Sequence, residues 1–212
     1  MKIAVINETS AVDKNPAILQ ALNGRGHEVV NLGMSEKGQQ PELLYTHTGF
    51  LSALLLNLKK VDFVVGGCGT GQGYLNSVMQ YPGVFCGHIL SPLDAWLFAR
   101  INAGNCISLA LNQGYGWAGE VNLRFIFDRL FEPPWGGGFP PHRQEPQRQA
   151  RLSLEAISQA THRSFPQIIE ALPRELVADA LSFPAVRRFL PIDAIPDSDI
   201  RSSLNKRIGG RG

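Results

Sequence analysis

The chain has 212 residues, of which 44% are hydrophobic and 18% charged, the composition of a globular domain with a full apolar core and no need of disulfide or metal staples. Twenty basic against eighteen acidic side chains leave a net charge of +2, which offers no basis for a nucleic-acid or membrane partner. The small basic excess is arginine-rich and lies after residue 142.

Short apolar runs with β-branched residues alternate with longer helical patterns, the signature of a parallel α/β sheet. Residues 2–6 read as the first strand. Asn15-Pro16 then opens a helix that stops near Gly24 and Gly26, because proline is preorganised for a first turn and glycine for a stop. Residues 28–32 form a second strand, and apolar residues at helical spacing predict a long helix over 41–60. A third strand at 61–65 meets Gly66–Gly73, where five glycines among eight residues break it. A fourth strand at 83–90 leads to a helix capped by Ser91-Pro92 and running to about Ile101. A fifth strand at 106–111 precedes a helix over 117–131.

Residues 1–132 therefore form an α/β domain with a five-stranded parallel sheet. The Gly/Pro/Arg-rich residues 133–149 read as a linker, and 150–212 as a helical extension with a continuous helix over 152–172 and a frayed tail at KRIGGRG. The extension packs on the domain or on a second subunit. No apolar stretch reaches about 18 residues, and the start MKIAVINETS is unlike a signal peptide, so a cytoplasmic location is expected.

In an open parallel sheet, ligands sit beyond the carboxyl ends of the strands, which directs attention to the loops at Asn7, Gly66, Ile89 and Asn112. Gly66–Gly73 carries the densest signal, yet Gln72-Gly73 stands where a P-loop needs Lys and Ser or Thr, and no G-x-G-x-x-G is present. Cys68 follows a strand and precedes a helix, a place where the helix dipole can lower a thiol pKa and equip it as base or nucleophile. The alternative is a small residue fitting a crowded turn. Cys86 and Cys106 read as small buried hydrophobes, and the three cysteines contain no CxxC pair for a zinc ribbon or disulfide framework. The five histidines are scattered without metal-ligand spacing and read as surface or satisfied core residues. Tyr45 and His47 could reach the carboxyl edge of the sheet; Trp117 and Trp135 read as core or interface.

The segment GCGTGQG, with Tyr81-Pro82-Gly83, Ser91-Pro92-Leu93-Asp94-Ala95 and the Asn102 to Asn105 turn, resembles the type B ribose-5-phosphate isomerase and galactose-6-phosphate isomerase family over about residues 1–155. The resemblance implies a Rossmann-like three-layer α-β-α fold, a homodimer or dimer of dimers with active sites at the interface, and aldose–ketose isomerisation of a small anionic sugar without metal or cofactor. Carried onto this sequence, it makes Cys68 the base, Thr70 a helper in ring opening or proton relay, and Asn102 a donor to the enediolate oxygen, joined by the N–H groups of Gly69, Gly71 and Gly73. Proton abstraction next to a carbonyl requires just such a base and an oxyanion site.

The departures are informative. Glu8 stands where the family has an aspartate that holds a sugar hydroxyl, Thr9 where it has a phosphate-binding histidine, and Ile101 where it has a ring-opening histidine. Arg143, Arg148 and Arg151 follow the Gly-Gly-Gly of 136–138 and imply contacts to an anion, carboxylate or phosphate. A subgroup with the MKIAxINE start and the C-terminal extension isomerises a deoxy-hexosulose uronate, which is acyclic and carries a carboxylate. That substrate suits Ile101 and stands beside the sugar phosphates as an alternative. A noncatalytic binder of sugar phosphates or nucleotides and an oligomeric scaffold are the other classes, since fold does not fix function.

Overall fold

The computed structural model describes residues 1–132 and 134–209. Strands β1 (Lys2–Asn7), β2 (Glu28–Asn31), β3 (Phe63–Cys68), β4 (Cys86–Ile89) and β5 (Cys106–Ala110) pair in parallel in the order β2-β1-β3-β5-β4. Successive side chains of a strand face opposite ways, and the two faces feed two cores. Ile3, Val5, Phe63, Val65 and Ile107 pack with helices α1 (Asn15–Leu22), α4 (Pro92–Leu97) and α5 (Gly119–Leu130). Ala4, Ile6, Val64, Cys68 and Cys106 pack with α2 (Tyr45–Asn57) and α3 (Gln72–Val78).

Every residue of α2 from Thr48 to Leu55 is buried, which a helix lying on one sheet with its other side in water would not show. The cover comes from the C-terminal helices. After α6 (Gln144–Thr161), helices α7 (Phe165–Ala171), α8 (Arg174–Ser182), α9 (Pro184–Phe189) and α10 (Ser198–Ile208) place Ile169, Val177, Leu181, Phe183 and Leu204 in the same core as Phe50, Leu51 and Leu54. Helices α7 to α10 are thus a fourth layer on the chain's own domain.

Several expected boundaries move, each for a local reason. Helix α6 begins at Gln144, inside the expected linker, because Pro146 falls in the first turn, where no intrahelical N–H bond is lost. The expected helix over 152–172 is two helices, since Pro166 can only open a helix; Ser164 caps that new start. Strand β3 runs on through Gly66 and Gly67 to Cys68, in register with Ser108, Leu109 and Ala110 of β5, so those two glycines serve packing within the sheet and do not end the strand. Asn15 does not cap α1; its amide pairs with that of Asn31 on β2 at 3.0 and 3.1 Å. Lys206, Arg207 and Ile208, expected to fray, belong to α10, where Arg207 donates to the Ile169 carbonyl at 3.2 Å; residues 210–212 of that tail lie outside the described residues, as does Pro133 of the linker.

Because the fourth layer shares a core with the sheet, Phe183→Ala should cost about 3–5 kcal/mol and leave a single urea transition seen alike by fluorescence and circular dichroism; a separate early transition would mark an independent unit. A pH effect follows from His27. Both its ring nitrogens are buried without a hydrogen-bond partner among the described residues, and its ring meets Phe131 edge-on at 4.7 Å. Burial first, then the positive chain terminus, lowers its pKa. The unfolded chain therefore takes up the proton more readily, so this contribution to stability is present above the ordinary imidazole pKa of about 6.5 and falls as the pH drops below it. Urea midpoints at pH 7.5 and 5.5 should differ less in His27→Phe than in the parent.

Candidate active site

Strand β1 sends its following helix to one face of the sheet and β3 sends its helix to the other, so the loops after these neighbouring strands diverge at their carboxyl ends, the place where sheets of this kind hold ligands. Cys68 sits there, at the last position of β3 and 6% exposed. Its seat is built from below by Tyr74, whose ring lies 2.1 Å from where a Cβ on Gly66 would stand. The Tyr74 hydroxyl bonds to Ser52 Oγ at 2.7 Å and approaches Cys106 Sγ at 3.4 Å, and burial drives its pKa well above the ordinary phenol value, so it stays neutral.

The loop after β1 locks onto the loop after β3. Gly69 N–H donates to Ser10 Oγ at 3.0 Å, and Ser10 in turn donates its hydroxyl and, at 3.1 Å, its backbone N–H to the buried Glu8 carboxylate. Thr9 Oγ1 donates to Glu42 Oε1 at 2.5 Å. From the loop after β5, Asn112 N–H and Gln113 N–H both donate to the Gly69 carbonyl at 2.9 Å, and the Asn112 side chain donates to the Ser10 carbonyl at 2.8 Å. Thr70 is exposed and its hydroxyl accepts from Gln72 N–H at 3.3 Å. Gly71 has φ +75°, the left-handed region that glycine tolerates.

These bonds redistribute the expected oxyanion donors. The Gly69 N–H is spent on Ser10 and the Gly71 N–H turns back to the Cys68 carbonyl at 3.3 Å. Gly73, in the first turn of α3 beneath the Tyr45 ring, is the one of the three whose N–H has no partner among the described residues. Glu8 and Thr9 stand in the loop after β1 that bonds to Gly69, with Glu8 turned toward Ser10.

Asn102 is elsewhere. It ends a π-helical turn (Phe98–Asn102) that precedes β5, whereas Cys68 is level with Ala110 at the far end of that strand. The five residues of β5 span about 16 Å, so one chain holds the two groups at opposite edges of its sheet. Asn102 lines a groove of about 450 Å³ beneath α6, together with Tyr81, Cys86, Phe98, Arg148, Arg151 and His162. Arg151 fastens α6 there by donating to the carbonyls of Ile101 at 2.8 Å and Gly136 at 3.2 Å. Arg148 forks onto Glu145 at 2.7 and 2.8 Å, and that guanidinium holds the Glu145 carboxyl down at about 2. Arg143, at the end of a 3-10 turn, does not line the groove.

Cys86 also departs from the expected buried hydrophobe: it is partly exposed on the groove wall, while burial pushes its thiol pKa up. Trp117, expected in a core or at an interface, is 99% exposed, which excludes the core. Ser10 and Ser108 are not singled out by sequence spacing, Asn112 only as the start of a loop, and His88 only as one of the histidines read as surface or satisfied core residues. Ser108 Oγ donates to the Gly71 carbonyl, and His88 Nε2 lies 3.0 Å from the Thr70 carbonyl. No motif marks them, because each acts through the backbone of another loop.

The doubly wound sheet, with a thiol in a glycine turn at its switch point, defines an α/β protein built for small polar ligands at the carboxyl edge. Residues 3–127 match the Ribose/Galactose Isomerase family, and the chain belongs to that family; it is a sugar isomerase. Two solved structures resemble it over nearly their whole length. One is a 4-deoxy-L-threo-5-hexosulose-uronate ketol-isomerase complexed with a tartrate, at 36% identity and TM-score 0.92, covering 99% of this chain and 100% of that one. The other is a ribose-5-phosphate isomerase from Vibrio parahaemolyticus, at 39% identity and TM-score 0.91, covering 98% and 99%. A ribose 5-phosphate isomerase from Thermotoga maritima, at 22% identity and TM-score 0.55, covers 70% of this chain and 97% of its own and shares the fold. No curated protein matches the sequence. Among the described residues no helix is long and apolar enough to cross a membrane.

Proposed function

We propose that the protein interconverts an aldose and a ketose through a cis-enediolate on an anionic, open-chain sugar acid of the deoxy-hexosulose uronate type, in the cytoplasm. The observation that carries the reaction is the placement of Cys68 at the carboxyl end of β3, where the loops after β1 and β3 meet. Its thiolate removes the proton from the carbon beside the carbonyl and returns it to the neighbouring carbon. Thr70 relays the hydroxyl proton, while Gly73 N–H and an Asn102 amide donate to the enediolate oxygen, the kind of preorganised stabilisation that carries most of such a barrier. Arg148, on the wall of the Asn102 groove, meets the substrate's charge.

Asn102 and Cys68 of one chain lie too far apart to share a substrate, so the active site combines the Cys68 edge of one copy with the Asn102 groove of another, in a homodimer with two-fold symmetry. Helix α6 supports this: it has no buried residue, and Leu152, Leu154 and Ile157 are exposed along it, Ile157 at 54%. Dimers pair further into a tetramer only if another face is used.

The open-chain substrate rests on Ile101 and Thr9. Neither side chain titrates, so neither supplies a proton to open a furanose ring, and the one strong tie at Ile101 is Arg151 on its carbonyl. The second reading, ribose 5-phosphate or galactose 6-phosphate, is favoured by the family description and the Vibrio parahaemolyticus relative.

Assay of the purified protein on the deoxy-hexosulose uronate, ribose 5-phosphate and galactose 6-phosphate should show the uronate turned over with the highest kcat/KM; turnover of a phosphate alone would replace the first substrate by the second. Cys68→Ala should lower kcat by about 10²–10⁴-fold with little change in substrate binding, whereas unchanged turnover leaves a noncatalytic role for the thiol. Mixing and reassorting Cys68→Ala with Asn102→Ala subunits should restore about a quarter of the parent's activity, because a mixed dimer carries one intact and one doubly altered site. Absence of recovery would place the whole site in one chain.

A further inference from the structure

We infer that His88 is a positioning residue for the Cys68 loop, a role that rests on the isomerase reading of that loop. His88 stands on β4, level with Ser108 of β5, and both point at the turn that follows Cys68. Its Nε2 lies 3.0 Å from the Thr70 carbonyl, and its ring is 2.6 Å from where a Cβ on Gly71 would stand. Ser108 Oγ donates to the next carbonyl, that of Gly71. Two adjacent strands therefore grip two successive peptide groups on either side of the left-handed residue Gly71.

A carbonyl oxygen only accepts, so Nε2 carries the proton and the neutral ring keeps Nδ1 bare. Protonation of the ring leaves the Nε2–H in place, so the grip holds in either charge state. A trans peptide is planar, and holding its carbonyl also sets its N–H. Fixing the Thr70 and Gly71 carbonyls thus fixes the direction of the Thr70 hydroxyl, of the Gly71 N–H that returns to the Cys68 carbonyl, and of the start of α3 with Gly73. His88 touches none of the reacting atoms; it holds the backbone that aims them, and displacements of about 1 Å in such a frame can cost about 10²-fold in rate.

The test compares His88→Leu, which keeps bulk and loses the donor, with His88→Gln, which offers a side-chain N–H to the same carbonyl. Expected for His88→Leu is a fall in kcat of about 10–100-fold with KM within about threefold of the parent, and faster amide hydrogen exchange confined to residues 69–73. Expected for His88→Gln is recovery of kcat to within about fivefold of the parent. Three results would overturn the assignment: a His88→Leu protein with the parent's kcat, one whose loop exchanges like the parent's, or a His88→Gln variant as slow as His88→Leu at equal melting temperature. A parent without turnover on any of the three sugars would instead sink the substrate reading, and the exchange comparison alone would then decide whether His88 holds the loop.

Discussion

Tyr74 occupies the space that a side chain on residue 66 would fill, and the course of the loop after Cys68 follows from that contact. With its ring against Gly66 and its hydroxyl between Ser52 and Cys106, Tyr74 ties α3 to both β3 and α2. The start of α3 is thereby fixed relative to the end of β3, and the few residues between them have little freedom left. Any larger residue at 66 would meet a ring that is buried on all sides, in an interior as densely packed as an organic crystal. The glycines of this segment therefore do two jobs. Gly66 and Gly67 let the backbone and Tyr74 come close, while Gly71 supplies a left-handed turn.

Around that fixed turn the protein spends its polar groups on holding backbone. Glu8 holds Ser10, Ser10 takes the Gly69 N–H, Asn112 holds both loops, and Ser108 and His88 take the two carbonyls that follow. Each of these side chains is bonded to backbone or to a neighbour, which is how a short loop between a strand and a helix is held in one conformation. The same kind of tie recurs at the other edge of the sheet, where Arg151 straps α6 to the carbonyls of Ile101 and Gly136 beside Asn102. The Cys68 loop and the Asn102 groove lie at opposite ends of β5, and the exposed apolar residues of α6 stand next to the groove.

The C-terminal helices explain a feature of α2 that periodicity alone leaves ambiguous. Its run of buried residues would suit a helix in the middle of a larger protein, and it is in the middle here because α7 to α10 close over it. An extension that begins as the exposed helix α6 ends as part of the main core.

Alternating strand and helix patterns, the cap at Ser91-Pro92 and the GCGTGQG turn were legible from residue types alone, because each reflects a local rule: β-branched runs extend, proline opens helices, and glycine permits what other residues cannot. The parallel five-stranded sheet and the family follow from such local signals. What no local rule contains is which partner a polar group finds across the fold. The capture of the Gly69 N–H by Ser10, the grip of His88 on Thr70, the distance between Asn102 and Cys68, and the docking of α7 to α10 on α2 join residues far apart in the chain. Those contacts are chosen by how whole layers stack, and so tertiary structure alone decided them.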